Sequence, residues 1–134
     1  GVQDPGIAFP FGDFDERVVS LSRKYFSYGR SSIYGMNDSA FSRYELKIFP
    51  VTTDTTLDEM VDFVSSVEIN NVWGIFLFHD LGNSGSDYHY ETSLDDYIAL
   101  LDEIQKRNFA VKPVKEIINA TSLSPFWQGR RKDD

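Results

Sequence analysis

The chain has 134 residues and a net charge of −8, with 41 % apolar residues and no cysteine. That length and apolar share suit one ordinary domain with a single core. The acidic balance disfavours binding to nucleic acid and to anionic membrane surfaces, both of which need clustered Lys and Arg. The absence of cysteine excludes disulfides and thiolate chemistry. No apolar run approaches the roughly 20 residues that span a bilayer, so we expect no membrane span.

The first third of the chain is predicted to contain strands and one helix. Residues 7–12 form a short apolar segment, and Asp13 with Glu16 has the spacing of a capping box that begins a helix. Residues 26–31 and 44–51 are predicted to form strands.

The middle of the chain contains the most informative segment. Thr56 and Glu59 form a second capping box, which predicts a helix whose apolar stripe runs from position 57 to position 67. An apolar strand over residues 73–80 follows, and it ends in His79 and Asp80. A buried strand that ends in ionisable residues is how parallel α/β proteins build active sites. His79 is therefore the first candidate for imidazole chemistry.

The last third is predicted to contain one long helix, one short strand and a final helical segment. Ser93 and Asp96 cap the long helix. Its predicted apolar face comprises Leu94, Tyr97, Ile98, Leu101 and Ile104. Residues 109–111 are predicted to form a strand and residues 114–118 a helical turn or two. Residues 121–134 have no periodicity, so we expect an irregular tail after a domain that spans residues 1–120.

Strands and helices alternate along most of the chain, which predicts a parallel sheet with right-handed crossovers. The periodicity is compatible both with a doubly wound sheet and with part of a barrel. In either fold, the segments that follow strands lie at the carboxyl edge of the sheet. Pro10, Arg30 and His79 are therefore expected to converge at that edge.

Four segments of the chain occur in an order that is typical of one enzyme family. They are Phe9-Pro10-Phe11-Gly12-Asp13, Tyr28-Gly29-Arg30, Leu77-Phe78-His79-Asp80, and the stretch over residues 90–117. Together they resemble the NodB-type polysaccharide deacetylases, which form carbohydrate esterase family 4. The resemblance covers residues 7–118. It implies an α/β fold, the C-terminal part of a distorted, incomplete (β/α)7-type, TIM-like barrel with parallel strands.

The resemblance also implies a reaction, the metal-dependent removal of N- or O-acetyl groups from an acetylated sugar polymer. In that reaction His79 is the general acid that protonates the leaving amine or alcohol. The turn that begins at Pro10 presents the backbone N–H of Phe11, which helps to stabilise the tetrahedral oxyanion. Leu77 lines the pocket for the acetyl methyl group.

Three further residues are predicted to contact the substrate, and each has a structural alternative. Tyr88 is placed to stack on a sugar ring and is equally suited to packing within its loop. Asp80 also has the character of a turn or cap residue. Arg30 is a candidate to substitute for the Arg that many family members carry at the position of Ala8. For Arg30, a surface or structural ion pair is the favoured interpretation.

Two motifs of the family are absent from this sequence. They are an Asp-Asp strand end and a His-x-x-x-His segment, which supply the base and the ligands of a divalent metal, with zinc expected. We therefore expect no metal ligand in this chain. We also expect activity only with an upstream half of the domain, supplied as a separate chain or replaced by self-association.

Two other functions remain open at this point. The first is a non-catalytic module, derived from the same fold, that binds glycan or mediates assembly. The second is a stand-alone Ser hydrolase, which is disfavoured because no Gly-x-Ser-x-Gly elbow occurs. Family members usually act on cell-wall or capsular glycans, so the resemblance implies an extracellular or cell-envelope location.

Overall fold

The computed structural model describes residues 4–82 and 90–123, the last three of them as backbone only. The strands are β1 (Gly6–Ala8), β2 (Tyr28–Tyr34), β3 (Leu46–Pro50), β4 (Phe76–Leu77), β5 (Asp80–Gly82) and β6 (Glu91–Ser93). The helices are α1 (Glu16–Ser22), α2 (Leu57–Asn70), α3 (Leu94–Lys106) and α4 (Val114–Leu123). A short 3-10 turn, Pro10–Gly12, joins β1 to α1.

Four strands form one sheet in the order β1-β2-β3-β4, and every neighbouring pair is parallel. The sheet curls into a half-barrel, which confirms the predicted α/β class with parallel strands and is compatible with a partial barrel. In this sheet β1 and β4 are the two edge strands. Strands β5 and β6 pair with each other in a separate, two-stranded sheet.

One face of the curled sheet, here called the outer face, packs against α2 and α3. The apolar cluster between them includes Phe49 and Phe76 of the strands, Val51 and Phe78 directly after them, and Met60, Phe63, Val64 and Leu100 of the helices. The rings of Phe49, Phe63 and Phe76 lie with centroids 4.8 to 5.4 Å apart. This aromatic packing attaches β3 and β4 to α2.

The opposite face of the sheet, here called the inner face, is packed against α4 at its amino-terminal end. Leu46, Trp73 and Ile118 form a buried cluster there, with Tyr28 and Ile75 packed against it. Leu46 and Tyr28 are the first residues of their strands, which places α4 at the start of the sheet. Neither apolar cluster includes the residues at the carboxyl end of the inner face.

Helix α1 begins later than the sequence predicts. The N-cap is Asp15 rather than Asp13, and the Asp15 carboxylate accepts a hydrogen bond of 2.8 Å from the Val18 N–H. Asp13 is held in the preceding turn, because its N–H donates to the Pro10 carbonyl at 3.1 Å. The 3-10 turn therefore moves the start of the helix by two residues.

The capping of the other two predicted helices is confirmed. Thr56 and Glu59 form a reciprocal capping box, in which the Thr56 N–H donates to the Glu59 carboxylate at 2.8 Å. The Ser93 hydroxyl accepts a hydrogen bond from the Asp96 N–H at the start of α3.

The predicted strand at residues 109–111 is wrong, since no strand forms there. The N–H of Phe109 donates instead to the Ile104 carbonyl at 3.2 Å, in the turn that ends α3. Helix α4 continues to Leu123, three residues into the predicted tail. Residues 124–134 lie outside the described residues.

The predicted apolar face of α3 is also wrong in part. Leu100 is the buried residue of this helix, whereas Leu94, Ile98 and Leu101 are each more than 40 % exposed. Helix α3 contacts α2 on one side and the β5–β6 pair on another. Of the other two stripe residues, Ile104 packs against the outer cluster and Tyr97 packs against Phe78.

Candidate functional site

The end of β4 places two predicted site residues on the inner face. The rings of Phe76 and Phe78 stack on one another, and Phe78 also packs edge-on against Tyr97 of α3 with centroids 5.0 Å apart. Because successive side chains of an extended segment point to opposite faces, Leu77 and His79 project away from the helices. Leu77 is half-buried and His79 is exposed.

The ring of His79 contacts Tyr90, the residue that directly precedes β6. Tyr90 lies with its ring centroid 4.5 Å from that of His79, at an interplanar angle of 47°. The Tyr90 carbonyl accepts a hydrogen bond of 3.3 Å from the Asp80 N–H. The pairing of β5 with β6 therefore brings Tyr90 beside the imidazole, a contact that depends on strands the sequence did not predict.

Asp80 is the first residue of β5 and is in register with Glu91 of β6. Asp80 is exposed. Because Asp80 and His79 are adjacent in the chain, their side chains point to opposite sides. Its predicted alternative, a turn or cap residue, is wrong because the residue lies in a strand. Contact between Asp80 and substrate stays a prediction.

The turn after β1 is a well-defined backbone structure at the other edge of the sheet. Phe9 is buried and stacks on Phe14 with ring centroids 4.9 Å apart, whereas Phe11 is fully exposed. Phe11 has a φ of 55°, and Gly12 has a φ of 72°. A side chain on Gly12 would collide with Ser32 of β2, so the turn and β2 are packed closely.

The same turn leaves one backbone donor free. The Gly12 N–H donates to the Phe9 carbonyl at 3.0 Å, and the Asp13 N–H donates to the Pro10 carbonyl. Within the described residues, the N–H of Phe11 has no acceptor. A left-handed backbone at a bulky residue is strained, and such strain is concentrated at functional sites. The turn therefore presents an unpaired N–H at the carboxyl end of β1.

Arg30 lies on the inner face, in register with Ala8 of β1 and Leu46 of β3. The Leu46 side chain is part of the inner cluster, and in-register residues of parallel strands share a face. Arg30 is half-buried, and this burial lowers the pKa of its guanidinium from the usual value. Its Nη1 donates to the Ser31 carbonyl at 3.3 Å.

The structure places Pro10, Phe11, Arg30, Leu77 and His79 on or shortly after three different strands, β1, β2 and β4. Arg30 adjoins Ala8, and Leu77 is in register with Pro50. The Phe11 turn follows the edge strand β1 and His79 follows the edge strand β4, so the curled inner face lies between them. Tyr88 lies outside the described residues.

Sequence reasoning missed Ser32 as a neighbour of the turn. The only signal for it was the glycine at position 12, which indicates a close approach but does not identify the neighbour.

An apolar cavity of about 370 Å³ lies outside this site. It opens to solvent and is lined by residues of β4, α2, α3, α4 and residues 109–112, and neither Leu77 nor His79 lines it.

Comparisons with protein-family models, with curated proteins and with solved structures found no match. No helix in residues 4–82 and 90–123 combines the length and the apolar character that crossing a bilayer requires. Among those residues there is also no group of three His, Cys, Asp or Glu side chains arranged to hold a metal ion.

Proposed function

We propose that this chain provides the general-acid side of a metal-dependent polysaccharide deacetylase site, on the C-terminal part of an incomplete, TIM-like (β/α)7 barrel. The observation that carries the proposal is the alternating direction of the side chains of residues 76–79, in and after β4. Packing of Phe76 and Phe78 against the helices turns Leu77 and His79 to the inner face. Active sites of (β/α) barrels are built at the carboxyl ends of their strands, which is the position of His79.

The chemistry assigned to the chain's own residues is proton donation and charge stabilisation. A protonated imidazole can donate its N–H, so His79 suits donation of a proton to the leaving nitrogen or oxygen. Leu77, two residues earlier on the same face, packs against the acetyl methyl group. When bound by the half that completes the barrel, a divalent metal such as zinc would polarise the acetyl carbonyl and activate water.

The free N–H of Phe11 supports an oxyanion hole in the same proposal. Its fixed, strained turn orients the donor before any substrate binds, since Gly12 and Asp13 use their N–H groups within the turn. Loss of one preorganised donor typically costs about 3 kcal/mol of transition-state stabilisation. Pro10 contributes by fixing the backbone that precedes this donor.

The proposed partners are an acetylated polysaccharide and an upstream half of the domain. Within the described residues, each edge strand of the four-stranded sheet, β1 and β4, pairs with one other strand of that sheet and leaves its second edge open. Helix α1, which follows β1 in the chain, exposes Val18 and Leu21, and Tyr25 is exposed just after its end. Open strand edges and an apolar helix stripe are features that a second half of the barrel would cover, whether from another chain or from a second copy.

Acetate release by a completed domain tests the proposal. The chain would be combined with the upstream half of a polysaccharide deacetylase, which carries the Asp-Asp and His-x-x-x-His motifs, and assayed with zinc on acetylated chito-oligosaccharides and acetylated xylan. We expect zinc-dependent acetate release, reduced at least 100-fold in kcat by His79→Gln. Asp102→Asn, at an exposed position of α3, is the matched control. Equal kcat for His79→Gln and wild type would contradict the proposal.

The exposed aromatic residues support a second candidate, a glycan-binding module without catalysis. Phe11 is fully exposed and Tyr90 is 43 % exposed beside His79. Aromatic faces at such positions are suited to stacking on sugar rings. Calorimetric binding of unacetylated oligosaccharide that is lost in Phe11→Ala, with no acetate release by the completed domain, would favour this candidate over the first.

A further inference from the structure

The apolar cavity beside β4 has the size and shape of a small-molecule site. Its volume is about 370 Å³, within the range of about 300 to 1,000 Å³ that such sites occupy. Residues of four elements, β4, α2, α3 and α4, line it together with residues 109–112. A cavity bounded by so many elements of one chain is concave, which suits a small ligand better than a flat protein surface.

Aromatic side chains form much of the cavity wall. Six of the lining residues are aromatic, namely Phe63, Trp73, Phe76, Phe78, Tyr97 and Phe109. Aromatic rings gain energy from offset-stacked and edge-to-face contacts, beyond the burial of area alone. An apolar cavity of about 150 Å³ holds one benzene molecule, so this one has room for a body of about two rings. The wall therefore favours an aromatic ligand.

One charged residue, Lys112, is found among the described residues that line the cavity, and no Asp or Glu is among them. Lys112 takes part in none of the ion pairs of the described residues, which involve Lys106 and Arg107. The chain carries a net charge of −8. Exposed charges more than about 8 Å away are largely screened at physiological ionic strength, so the local charge decides. It favours an anionic group on the ligand.

We propose that this cavity binds a small aromatic carboxylate, with its rings among the apolar side chains and its carboxylate beside the Lys112 ammonium. Lys112 is exposed, so the carboxylate stays in contact with water while the rings are removed from it. An exposed ion pair contributes little, and the buried rings therefore supply most of the affinity. The inference does not depend on the proposed function, because neither Leu77 nor His79 lines the cavity.

Binding of 2-naphthoate to the 134-residue chain, followed in ¹H–¹³C methyl spectra, tests the site. The methyl signals of Leu101 and Ile104, which line the cavity, should shift and saturate because the ring current of a bound naphthalene acts on nearby protons. Ile33 is the control, since it is exposed on β2 and does not line the cavity. Shifts that do not saturate, or that are equal at Ile33, would overturn the inference.

Three variants test the contacts with the rings and with the carboxylate. Ala110→Trp adds a large side chain at an exposed lining position and should weaken 2-naphthoate binding at least tenfold, whereas Ala40→Trp, exposed elsewhere, should change it less than twofold. Lys112→Gln should weaken 2-naphthoate about fivefold and the uncharged 2-naphthalenemethanol less than twofold. Unchanged binding in Ala110→Trp would overturn the inference, and so would equal losses for acid and alcohol in Lys112→Gln.

Other occupants of the cavity give different results in the same spectra. Decanoate bound at least tenfold more tightly than 2-naphthoate would indicate a fatty acid. A gain of at least tenfold in Trp127→Ala would indicate that residues 124–134 of the chain compete for the cavity. Loss of 2-naphthoate binding when the upstream half associates would indicate a protein contact. Each of these three results would overturn the inference.

Discussion

The outer and inner faces of the curled sheet differ in the residues that pack against them. The outer face is fixed by a continuous aromatic cluster, in which Phe63 of α2 contacts Phe49 and Phe76. The inner face is packed at its amino-terminal end by Ile118 and its neighbours on α4. Its other end carries His79, which lies outside both clusters. The difference indicates that one face supplies stability while the other is available for chemistry.

The largest effect is expected from removing an outer-face ring. Phe63→Ala should lower the free energy of unfolding by about 3 to 5 kcal/mol, because Phe63 is buried among aromatic rings. Leu77→Ala is the inner-face counterpart. Since Leu77 is only half-buried, its loss should cost about 1 kcal/mol. Urea denaturation followed by circular dichroism measures both, and equal losses would remove the distinction between the faces.

The turn after β1 places a buried ring, Phe9, two residues before an exposed ring, Phe11, so a packed and an unpacked side chain can be compared there as well. Phe9→Ala should cost about 3 kcal/mol, because the ring is buried and stacked on Phe14. Phe11→Ala should change stability by less than about 0.5 kcal/mol, since its side chain is fully exposed. A Phe11→Ala variant with a large loss would show that this ring packs in solution and is not free for a ligand.

Gly12 should be intolerant of a side chain. Gly12→Ala is expected to cost about 2 kcal/mol, because φ is 72° there and the added methyl group would meet Ser32. Combining it with Ser32→Gly should recover part of the loss, while the part due to φ remains. Thermal unfolding of the single and double variants measures the two contributions, and full recovery would mean that the backbone is not strained.

The smallest effect concerns the cap of α2. Hydrogen bonds from Thr56 hold the pKa of Glu59 below its ordinary value. The folded state therefore binds this proton less readily than the unfolded state, so the contribution is present above the ordinary Glu pKa and is lost as pH falls through the lowered one.

Glu59→Gln should reduce the loss of stability below pH 4.5 relative to wild type. A slope remains in the variant, because Arg107 likewise lowers the pKa of Glu103. Thr56→Ala, which removes the cap itself, should cost about 1 kcal/mol near neutral pH. Urea titrations between pH 3 and 7 test both statements, and an unchanged acid slope in Glu59→Gln would contradict the assignment.

Local signals in the sequence predicted local structure well. The Thr56 and Ser93 caps are visible because their hydrogen bonds join residues three apart. The Asp13 cap was wrong because a competing turn uses that residue's N–H. The parallel sheet followed from the alternation of strands and helices, which does not depend on exact boundaries.

Pairings between strands that are distant in the chain could not be predicted from the sequence. Strands β5 and β6 are three residues each and have no pattern of their own, so Tyr90 could not be placed beside His79. The segment 109–111 has strand character but pairs with no strand in the described structure. The register of Ala8 with Arg30 likewise depends on how β1 aligns with β2, which periodicity does not specify. The assigned roles of His79 and Phe11 stay predictions.

The most direct test of the general-acid assignment compares two leaving groups. In the completed domain, His79→Gln should slow hydrolysis of an N-acetylated sugar at least 100-fold, because its amine must be protonated to leave. The same variant should hydrolyse 4-nitrophenyl acetate within about threefold of wild type, since that leaving group needs no proton. Equal slowing of both substrates would contradict proton donation by His79, and so would equal rates for variant and wild type on the sugar.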